Sequence, residues 1–337
     1  KTRPFVILAG VSGTGKTKLV RLFAEAVGAT EANGQFAQIP VRPDWSEPSD
    51  LLGYTDLSGT FRAGPLTKVL WEASQPANQH KPYFICLDEM NLARVEHYFS
   101  DLLSILETKR WANGQIITDT VLPPHLLSGQ DAEKYGHLIV PENVYIIGTV
   151  NMDETTYPFS KKVLDRANTI EFHDVDLLRF PSSWDEQESP QPLPVSNSPF
   201  RSQFLTIRDA MGEYLELIRR TTEQLVQVNR MLENIHAHIG YRIRDTICFY
   251  MIYNQQFGLM EEHQAFDFQL LQKILPRIQG SSMAVKRCLI ELLLYAIGER
   301  GSSNDYLEDA TDLIQAWERL DQEKRALYPQ SARKIAT

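Results

Sequence analysis

The sequence has few cysteines, no long apolar run and no excess of basic residues. Its three cysteines are far apart and each lies in an apolar stretch, so we expect buried free thiols in a reducing cytoplasm rather than a disulfide framework. No apolar run reaches the about 18 residues that a membrane span needs, so we expect no transmembrane helix. The formal net charge of −9 argues against a broad nucleic-acid-binding surface, although a local basic pore or loop stays compatible with it.

Metal-ligand spacing and a starting methionine are also missing. The eight histidines show no metal-site spacing, and His236 and His238, two apart on a predicted helix, face different ways, which argues against zinc there. The chain begins at Lys1, almost directly before the first predicted strand, so we expect that an N-terminal module is missing. A length of 337 residues with 43% hydrophobic and 23% charged residues is typical of a globular protein with two domains.

A glycine-rich motif follows the first predicted strand. The apolar run at residues 5–8 predicts a buried strand. It leads into eight residues that fit the phosphate-binding pattern G-x-x-x-x-G-K-[ST], namely Gly10, Val11, Ser12, Gly13, Thr14, Gly15, Lys16 and Thr17. The glycines let backbone N–H groups turn towards a phosphate, Lys16 puts a positive charge on the outer phosphates, and the Thr17 hydroxyl can bind Mg²⁺. Residues 18–27 predict an amphipathic helix whose positive amino end faces the same anion.

Two acidic residues end another predicted buried strand. Residues 83–87 are mostly apolar, and Asp88 and Glu89 follow. The carboxyl ends of parallel strands meet at one sheet edge, so these acids are expected beside the phosphate loop. There Asp88 can hold Mg²⁺ through water, and Glu89 can polarise a water molecule for in-line attack on the terminal phosphate.

Two further polar residues follow in the chain. Asn151 ends the strand predicted at residues 144–150, where its amide either orients the attacking water, contacts the γ-phosphate or simply forms a turn. Arg166 ends a short helix predicted at residues 159–166. It either complements the dipole of that helix as a surface charge or reaches the phosphate of a neighbouring subunit as an arginine finger, an effect worth ~10³–10⁵ in rate.

The remaining pattern divides the chain. Strands alternate with helices up to residue 172, which predicts a parallel sheet with helices on both faces. Further predicted elements are a strand at 36–41, a hairpin with its tip at 57–61, one helix at 92–108, a turn at Asn113-Gly114 and a strand at 168–172. We predict a nucleotide-binding core at residues 1–180, a Pro/Ser-rich linker at 181–202, a helical domain at 203–300, and one helix with a polar tail at 301–337.

These motifs resemble the core of AAA+ ATPases. In that comparison residues 10–17 correspond to Walker A, residues 83–89 to Walker B, Asn151 to sensor one and Arg166 to the arginine finger. More narrowly, several stretches resemble the McrB-type motor subunits of modification-dependent restriction systems: residues 50–54 with 64–66, 88–94, 141–151, 159–166, 240–242 and 273–277.

The resemblance implies an α/β P-loop AAA+ fold, with a five-stranded parallel sheet and helices on both faces, followed by an all-helical lid. Residues 44–66 would be the helix-two insert hairpin facing a central pore, residues 110–122 a hairpin before sensor one, and Arg242 a sensor-two residue. It also implies self-association into a ring, usually a hexamer, with ATP and Mg²⁺ at the subunit junctions. An McrC-like partner would stimulate hydrolysis and carry the nuclease, and DNA would be reached through that partner or the missing N-terminal module.

Several alternatives stay open. GTP-using family members carry Met-Asn-Thr-Ala-Asp-Arg-Ser around sensor one, whereas residues 150–156 here are Val-Asn-Met-Asp-Glu-Thr-Thr, so we expect ATP, with GTP as the alternative. A MoxR-like chaperone ATPase and a nucleotide-gated scaffold with slow hydrolysis are the competing functions. Arg94 either acts across a subunit interface or pairs with Glu96 or Asp101 on the surface of its helix.

Overall fold

The structure is a computed structural model that describes residues 1, 5–152, 157, 159–172 and 191–336. It divides into two compact units, the first ending at Leu205 and the second beginning at Thr206. Some predictions fall on residues outside the described ranges: positions 2–4, 153–156, 158 and 173–180 of the core, positions 181–190 of the linker, and the last residue of the tail. Of these, positions 153–156 bear on the nucleotide preference. In the ranges that are described, no helix has the length and apolarity to cross a membrane.

The first unit is built on a five-stranded parallel sheet, as predicted. The strands of this unit are β1 (Phe5–Gly10), β2 (Phe36–Pro40), β3 (Gly53–Thr55), β4 (Phe61–Ala63), β5 (Tyr83–Asp88), β6 (Arg110–Ala112), β7 (Gln115–Ile117), β8 (Val144–Asn151) and β9 (Asn168–Phe172). The order in the large sheet is β2-β5-β8-β1-β9, and every neighbouring pair is parallel. All five strands therefore end at the same edge.

Helices cover both faces of this sheet. They are α1 (Lys16–Ala26), α2 (Ser49–Leu52), α3 (Pro65–Ser74), α4 (Val95–Tyr98), α5 (Ser100–Ile105), α6 (Gly129–Tyr135) and α7 (Lys161–Leu164), with 3₁₀ turns at Met90–Leu92, Leu106–Thr108 and Pro124–Leu126. Successive strand residues point to opposite faces. Ile7 and Ile85 thus join the core that includes α3 and α5, whereas Leu8 and Phe84 pack with α1.

The single helix predicted over residues 92–108 is wrong. The backbone is extended at Ala93, with φ −119° and ψ 164°, and leaves helical geometry again at Phe99, with φ −107° and ψ 2°. Phe99 is fully buried, and its ring centroid lies 5.3 Å from that of Phe5 on β1. Packing of this ring against the sheet therefore sets the bend, which the helical spacing of apolar residues does not reveal.

Two antiparallel hairpins project from the first unit. In β3–β4 the tip is ordered by Asp56, whose carboxylate accepts from the backbone N–H groups of Ser58 and Thr60 at 2.9 and 3.1 Å. The hydrogen bond from the Ser58 hydroxyl, followed by that from Thr60, lowers the pKa of Asp56 to about 2. In β6–β7 the predicted Asn113-Gly114 turn has positive φ at both residues, which is the geometry of a two-residue type I′ hairpin.

The described part of the predicted linker, residues 191–202, is attached to the first unit. The N–H groups of Leu193 and Val195 donate to the carbonyl oxygens of Ala26 and Val27 at 3.0 and 3.1 Å. Phe200 stacks edge-on against Phe84, with 5.7 Å between ring centroids. Backbone pairing and one aromatic anchor hold this stretch, features that its Pro/Ser-rich composition does not reveal.

The second unit is all-helical, as predicted for the region after the core. Its helices are α8 (Ile207–Glu233), α9 (Tyr241–Phe257), α10 (Glu262–Gln269), α11 (Met283–Ile297), α12 (Thr311–Gln322) and α13 (Pro329–Ala336), with a π turn at Leu270–Ile274 and 3₁₀ turns at Leu275–Arg277 and Ser303–Tyr306. Two helices, rather than one helix and a polar tail, follow residue 301. Pro329 opens α13 because its fixed φ suits the first helical turn and its missing N–H costs nothing there.

Candidate active site

The loop between β1 and α1 is shaped by its glycines. Gly13 and Gly15 have φ of 82° and 83°, in the left-handed region that other residues rarely adopt. A Cβ atom on Gly10 would lie 2.3 Å from the carbonyl oxygen of Phe172 on β9, so only glycine fits beside that strand. Helix α1 begins directly after the loop, at Lys16, and its positive end adds to the anion-binding character of the loop.

The side chain of Lys16 folds back over this loop. It is 5% exposed, and its ammonium group donates to the carbonyl oxygens of Gly10 and Val11 at 3.1 and 2.7 Å. The Thr14 hydroxyl lies 3.3 Å from the same ammonium and donates to Val11. The positive charge of Lys16 is therefore held at the loop. Ser12, in the same loop, is exposed to solvent.

Strand order brings the predicted acidic residues to the loop. Asp88 ends β5, and Asn151 ends β8 in register with Gly10 of β1. The Thr17 hydroxyl, on the first turn of α1, donates to Asp88 Oδ1 at 2.6 Å. The structure therefore brings together residues 10–17, Asp88, Glu89 and Asn151 at one edge of the sheet.

The carboxylate of Asp88 is held from three sides. Besides Thr17, the hydroxyl of Thr149 on β8 donates to Oδ1 at 2.7 Å, and Gln38 Nε2 on β2 donates to Oδ2 at 2.8 Å. Thr149 also accepts from the backbone N–H of Glu89 at 3.0 Å. Nearby on β5, burial raises the pKa of the Cys86 thiol to about 12, with the charge of Asp88 acting in the same direction, so this thiol stays neutral.

Glu89 has strained backbone geometry and an exposed side chain. Its φ of 52° is uncommon outside glycine, and such conformations concentrate at functional sites. Asn151 Nδ2 donates to Glu89 Oε1 at 2.9 Å. The side chain of Asn91, which is 3% exposed, in turn donates to the carbonyl oxygen of Asn151 at 2.8 Å. Asn151 is thus fixed at its backbone while its amide contacts the candidate general base.

These residues fit a nucleotide and Mg²⁺. The glycine loop leaves room for phosphate oxygens, since a Cβ atom at Gly13 or Gly15 would meet no atom within 4 Å. Because the Thr17 hydroxyl donates its proton to Asp88, its oxygen lone pairs stay available to a metal ion. Within the described residues no group of three His, Cys, Asp or Glu side chains could hold a metal ion. Mg²⁺ at nucleotide sites is typically bound through one or two protein groups together with substrate phosphates and water, and Thr17 and Asp88 are groups of that kind.

Arg166 lies near the amino ends of the sheet strands, whereas the loop lies at their carboxyl ends. It precedes β9, whose first residue, Asn168, pairs with Val6 near the start of β1, whereas the loop follows Gly10 at the end of β1. Val6 and Gly10 are four residues apart along β1, a separation of about 13 Å in a strand. Its guanidinium Nε lies 3.4 Å from Glu107 Oε1, and the side chain is 12% exposed.

Two other predicted arginines have different surroundings. Arg242 is on the first turn of α9 in the second unit, and its carbonyl oxygen accepts from the Thr246 hydroxyl at 2.8 Å. The guanidinium of Arg94 lies 5.2 Å from the ring centroid of Tyr157, a cation–π distance. Glu96, one of the acids considered as a partner for Arg94, instead accepts from the backbone N–H of Ser160 at 2.8 Å.

The sequence predicted no site role for three residues that the structure places there: Gln38, Asn91 and Thr149. Thr149 had a usable signal, because residues two apart on a strand share a face and it stands two positions before Asn151. Gln38 had a weaker one, as a polar residue within an apolar strand. Which strand lies beside β5 follows from the sheet order, and the sequence alone does not provide it.

Two family models match the chain. Residues 5–167 match the model described as AAA domain (dynein-related subfamily), and residues 189–337 match one described as a domain of unknown function (DUF8727). The first match spans the loop, Asp88, Glu89, Asn151 and Arg166, and ends before Arg242. Together with the geometry of the loop, it supports a nucleotide-binding AAA+ ATPase domain in this part of the chain.

Comparison with curated proteins gives no significant match. Among solved structures, one that matches is the crystal structure of a candidate ATPase from Cytophaga hutchinsonii. It is 16% identical, with a TM-score of 0.47, and the match covers 94% of this chain and 86% of that chain. A likeness at this level carries no conclusion about the activity of the present chain.

Proposed function

We propose that this chain is an ATP-hydrolysing motor subunit of a McrB-like restriction or anti-phage complex. The observation that carries the ATPase part is the grouping of Lys16, Thr17, Asp88, Glu89 and Asn151 at the carboxyl ends of the strands. Thr17 is hydrogen-bonded there to Asp88, and Asn151 to Glu89. The matched AAA domain supports ATP as the nucleotide, and GTP is the alternative substrate that the test below measures.

The residues of the site divide the work between binding and water activation. The backbone N–H groups of residues 10–17 and the ammonium of Lys16 bind the phosphates. Thr17 and Asp88 would hold Mg²⁺, which when bound neutralises charge on the phosphate oxygens. Glu89 accepts a proton from the attacking water. Asn151, which already contacts Glu89, orients that carboxylate or the water.

Assembly would complete the site. Arg166 stands at the sheet edge away from the loop of its own chain, so it can reach a phosphate only on a second copy. For that it must leave Glu107, from which it is 3.4 Å away. We infer a ring, with six copies as the expected number, in which each junction contains one loop and the Arg166 of the next chain. Arg242 of the helical unit is proposed to contact the phosphates as a sensor-two residue.

The restriction role is the finer part of the proposal. It is supported by the McrB-like stretches of the sequence, especially residues 88–94, of which Asn91 is seen to hold the backbone of Asn151. In this role the chain translocates or remodels DNA for an McrC-like nuclease or activator subunit. Because the net charge of this chain is −9, we assign DNA contact to that partner. A MoxR-like chaperone ATPase that remodels a protein is the competing function.

The test is steady-state phosphate release from ATP and GTP in competition, with and without double-stranded DNA. We expect preferential ATP hydrolysis, which DNA increases several-fold when the nuclease partner is present. Glu89→Gln should reduce turnover by about 10²–10⁴, the usual contribution of a general base, and should still bind ATP. Glu133→Gln, the same change on the exposed face of α6, is the matched control and should keep the parental rate.

Undiminished turnover in Glu89→Gln would refute the hydrolytic mechanism. Preference for GTP would correct the substrate. Stimulation by a partner protein that carries no nuclease, with none by DNA, would favour the chaperone over the restriction motor.

A further inference from the structure

Gln38 connects the edge strand β2 to the metal-binding side of the site. Its Nε2 donates to Asp88 Oδ2 at 2.8 Å, on the carboxylate oxygen that Thr17 and Thr149 leave unused, since both of these donate to Oδ1. With donors on both oxygens, from three different elements, the plane of the Asp88 carboxylate is fixed. The amide of Gln38 is the donor that comes from the outer strand β2, whereas the other two come from α1 and β8.

The orientation of the Gln38 amide is fixed from its other side. Its Oε1 accepts from Arg21 Nη2 on α1 at 2.9 Å, and the same Nη2 lies 3.1 Å from Glu31 Oε1. Arg21 can only donate and an ionised carboxylate can only accept. The amide oxygen must therefore face Arg21 and the amide nitrogen must face Asp88, so an amide flip would break both contacts.

The chemistry of an amide suits this position. A lysine or arginine in place of Gln38 would neutralise Asp88 and weaken its attraction for a cation, whereas an amide donates a hydrogen bond without adding charge. The charge of Arg21 acts on the amide and is itself paired with Glu31. The amide of Gln38 thus sets the direction of the Asp88 carboxylate without adding a positive charge beside it.

We propose that Gln38 is a positioning residue for the Mg²⁺ site, acting through Asp88, an inference that rests on the proposed function. Mg²⁺ requires nearly ideal octahedral geometry and keeps several of its waters, so an acid that binds it through water must point in a defined direction. Partners that orient such groups typically change metal affinity by about 10–100-fold.

The alternative is that Gln38 only ties an edge strand to the sheet. Gln35 provides the matched control, because it is the same residue type and stands directly before β2. Like Gln38 it is half-buried, and it also bonds across to the neighbouring segment, donating to the carbonyl oxygen of Pro82 at 3.0 Å. It lies at the far end of the strand from Asp88.

The experiment measures equilibrium binding of a fluorescent, non-hydrolysable ATP analogue to the full chain, in EDTA and across a Mg²⁺ titration. For Gln38→Leu we expect the half-saturating Mg²⁺ concentration to rise by about tenfold, with unchanged affinity in EDTA. Gln35→Leu should follow the parent in both conditions.

Three results would overturn the proposal: a Gln38→Leu titration that coincides with the parent, equal shifts in both glutamine variants, or loss of binding by Gln38→Leu in EDTA as well, which would show damage to the strand edge. These are distinct from failure of the proposed function, in which the parental chain itself would bind no nucleotide.

Discussion

Asp88 is held by three side chains of the site, each on a different element. Its carboxylate accepts from side chains on α1, β2 and β8, so its position depends on the correct arrangement of the whole carboxyl edge of the sheet. Hydrogen bonds to an ionised acceptor contribute about 1.5–3 kcal/mol, more than those between neutral groups. Loss of a single donor is therefore measurable both in stability and in turnover.

Thr149→Val tests this at the residue scale. Valine has the shape of threonine, so the change deletes the bond to Asp88 Oδ1 and leaves the N–H of Glu89 without its acceptor. We expect the free energy of unfolding to fall by about 1–3 kcal/mol, and the ATPase rate to fall with it. Urea unfolding followed by tryptophan fluorescence, together with phosphate release, measures both.

Thr169→Val is the matched control for that change. Thr169 on β9 is 4% exposed, close to the 2% of Thr149, but its hydroxyl has no hydrogen-bond partner among the described residues. Removing an unsatisfied buried hydroxyl should leave stability unchanged or raise it. Equal losses in the two variants would show that the polar contacts of Thr149 do not stabilise the site.

At the scale of elements, the last helix shows how a distant residue fixes an end of the chain. Asp267 on α10 is 1% exposed and accepts from the backbone N–H groups of Gln330 and Ser331 at 2.8 and 2.9 Å. The Ser331 hydroxyl donates to the same carboxylate at 2.5 Å. The first turn of α13 is thereby capped by a different helix instead of by its own preceding residue.

Asp267→Ala should loosen α13. We expect a loss of about 2 kcal/mol, because two backbone donors in a buried helix start lose their acceptor. Asp309 is an exposed acid that accepts from the backbone N–H of Thr311, the first residue of α12. Asp309→Ala should lower the free energy of unfolding by less. Thermal unfolding and hydrogen exchange of residues 329–336 measure the difference. If α13 keeps full protection in Asp267→Ala, the cap does not hold the helix.

Elements with strong local signals were predictable, and those set by distant packing were not. Strands β5 and β9 match their predicted ranges, because apolar runs bounded by polar residues identify buried strands. The bend at Phe99 and the start of α13 depend on Phe5 and Asp267, which are remote in sequence. In the site, the motif residues were predictable, whereas Gln38 could be found only once β2 was known to pair with β5.

At the scale of the whole molecule, we propose that two copies of the chain form one active site. The loop and Glu89 lie at one sheet edge, and Arg166 lies beyond the start of β9 at the other. A head-to-tail ring brings such opposite edges together at every junction. In this account the pair formed by Arg166 and Glu107 belongs to the separate chain and opens on assembly.

The most direct measurement is ATP hydrolysis by mixtures of inactive variants. Lys16→Ala should fail to bind ATP, and Arg166→Ala should be slower by ~10³–10⁵. Mixed in equal amounts, they should recover roughly a quarter of the parental rate, because half of the neighbours of each intact loop supply an intact arginine in a randomly assembled ring. The control mixture of Lys16→Ala with Glu89→Gln should stay inactive, since loop and base must belong to one chain. Recovery in the first mixture alone is the predicted result; no recovery, or a fully active Arg166→Ala variant, would contradict the account.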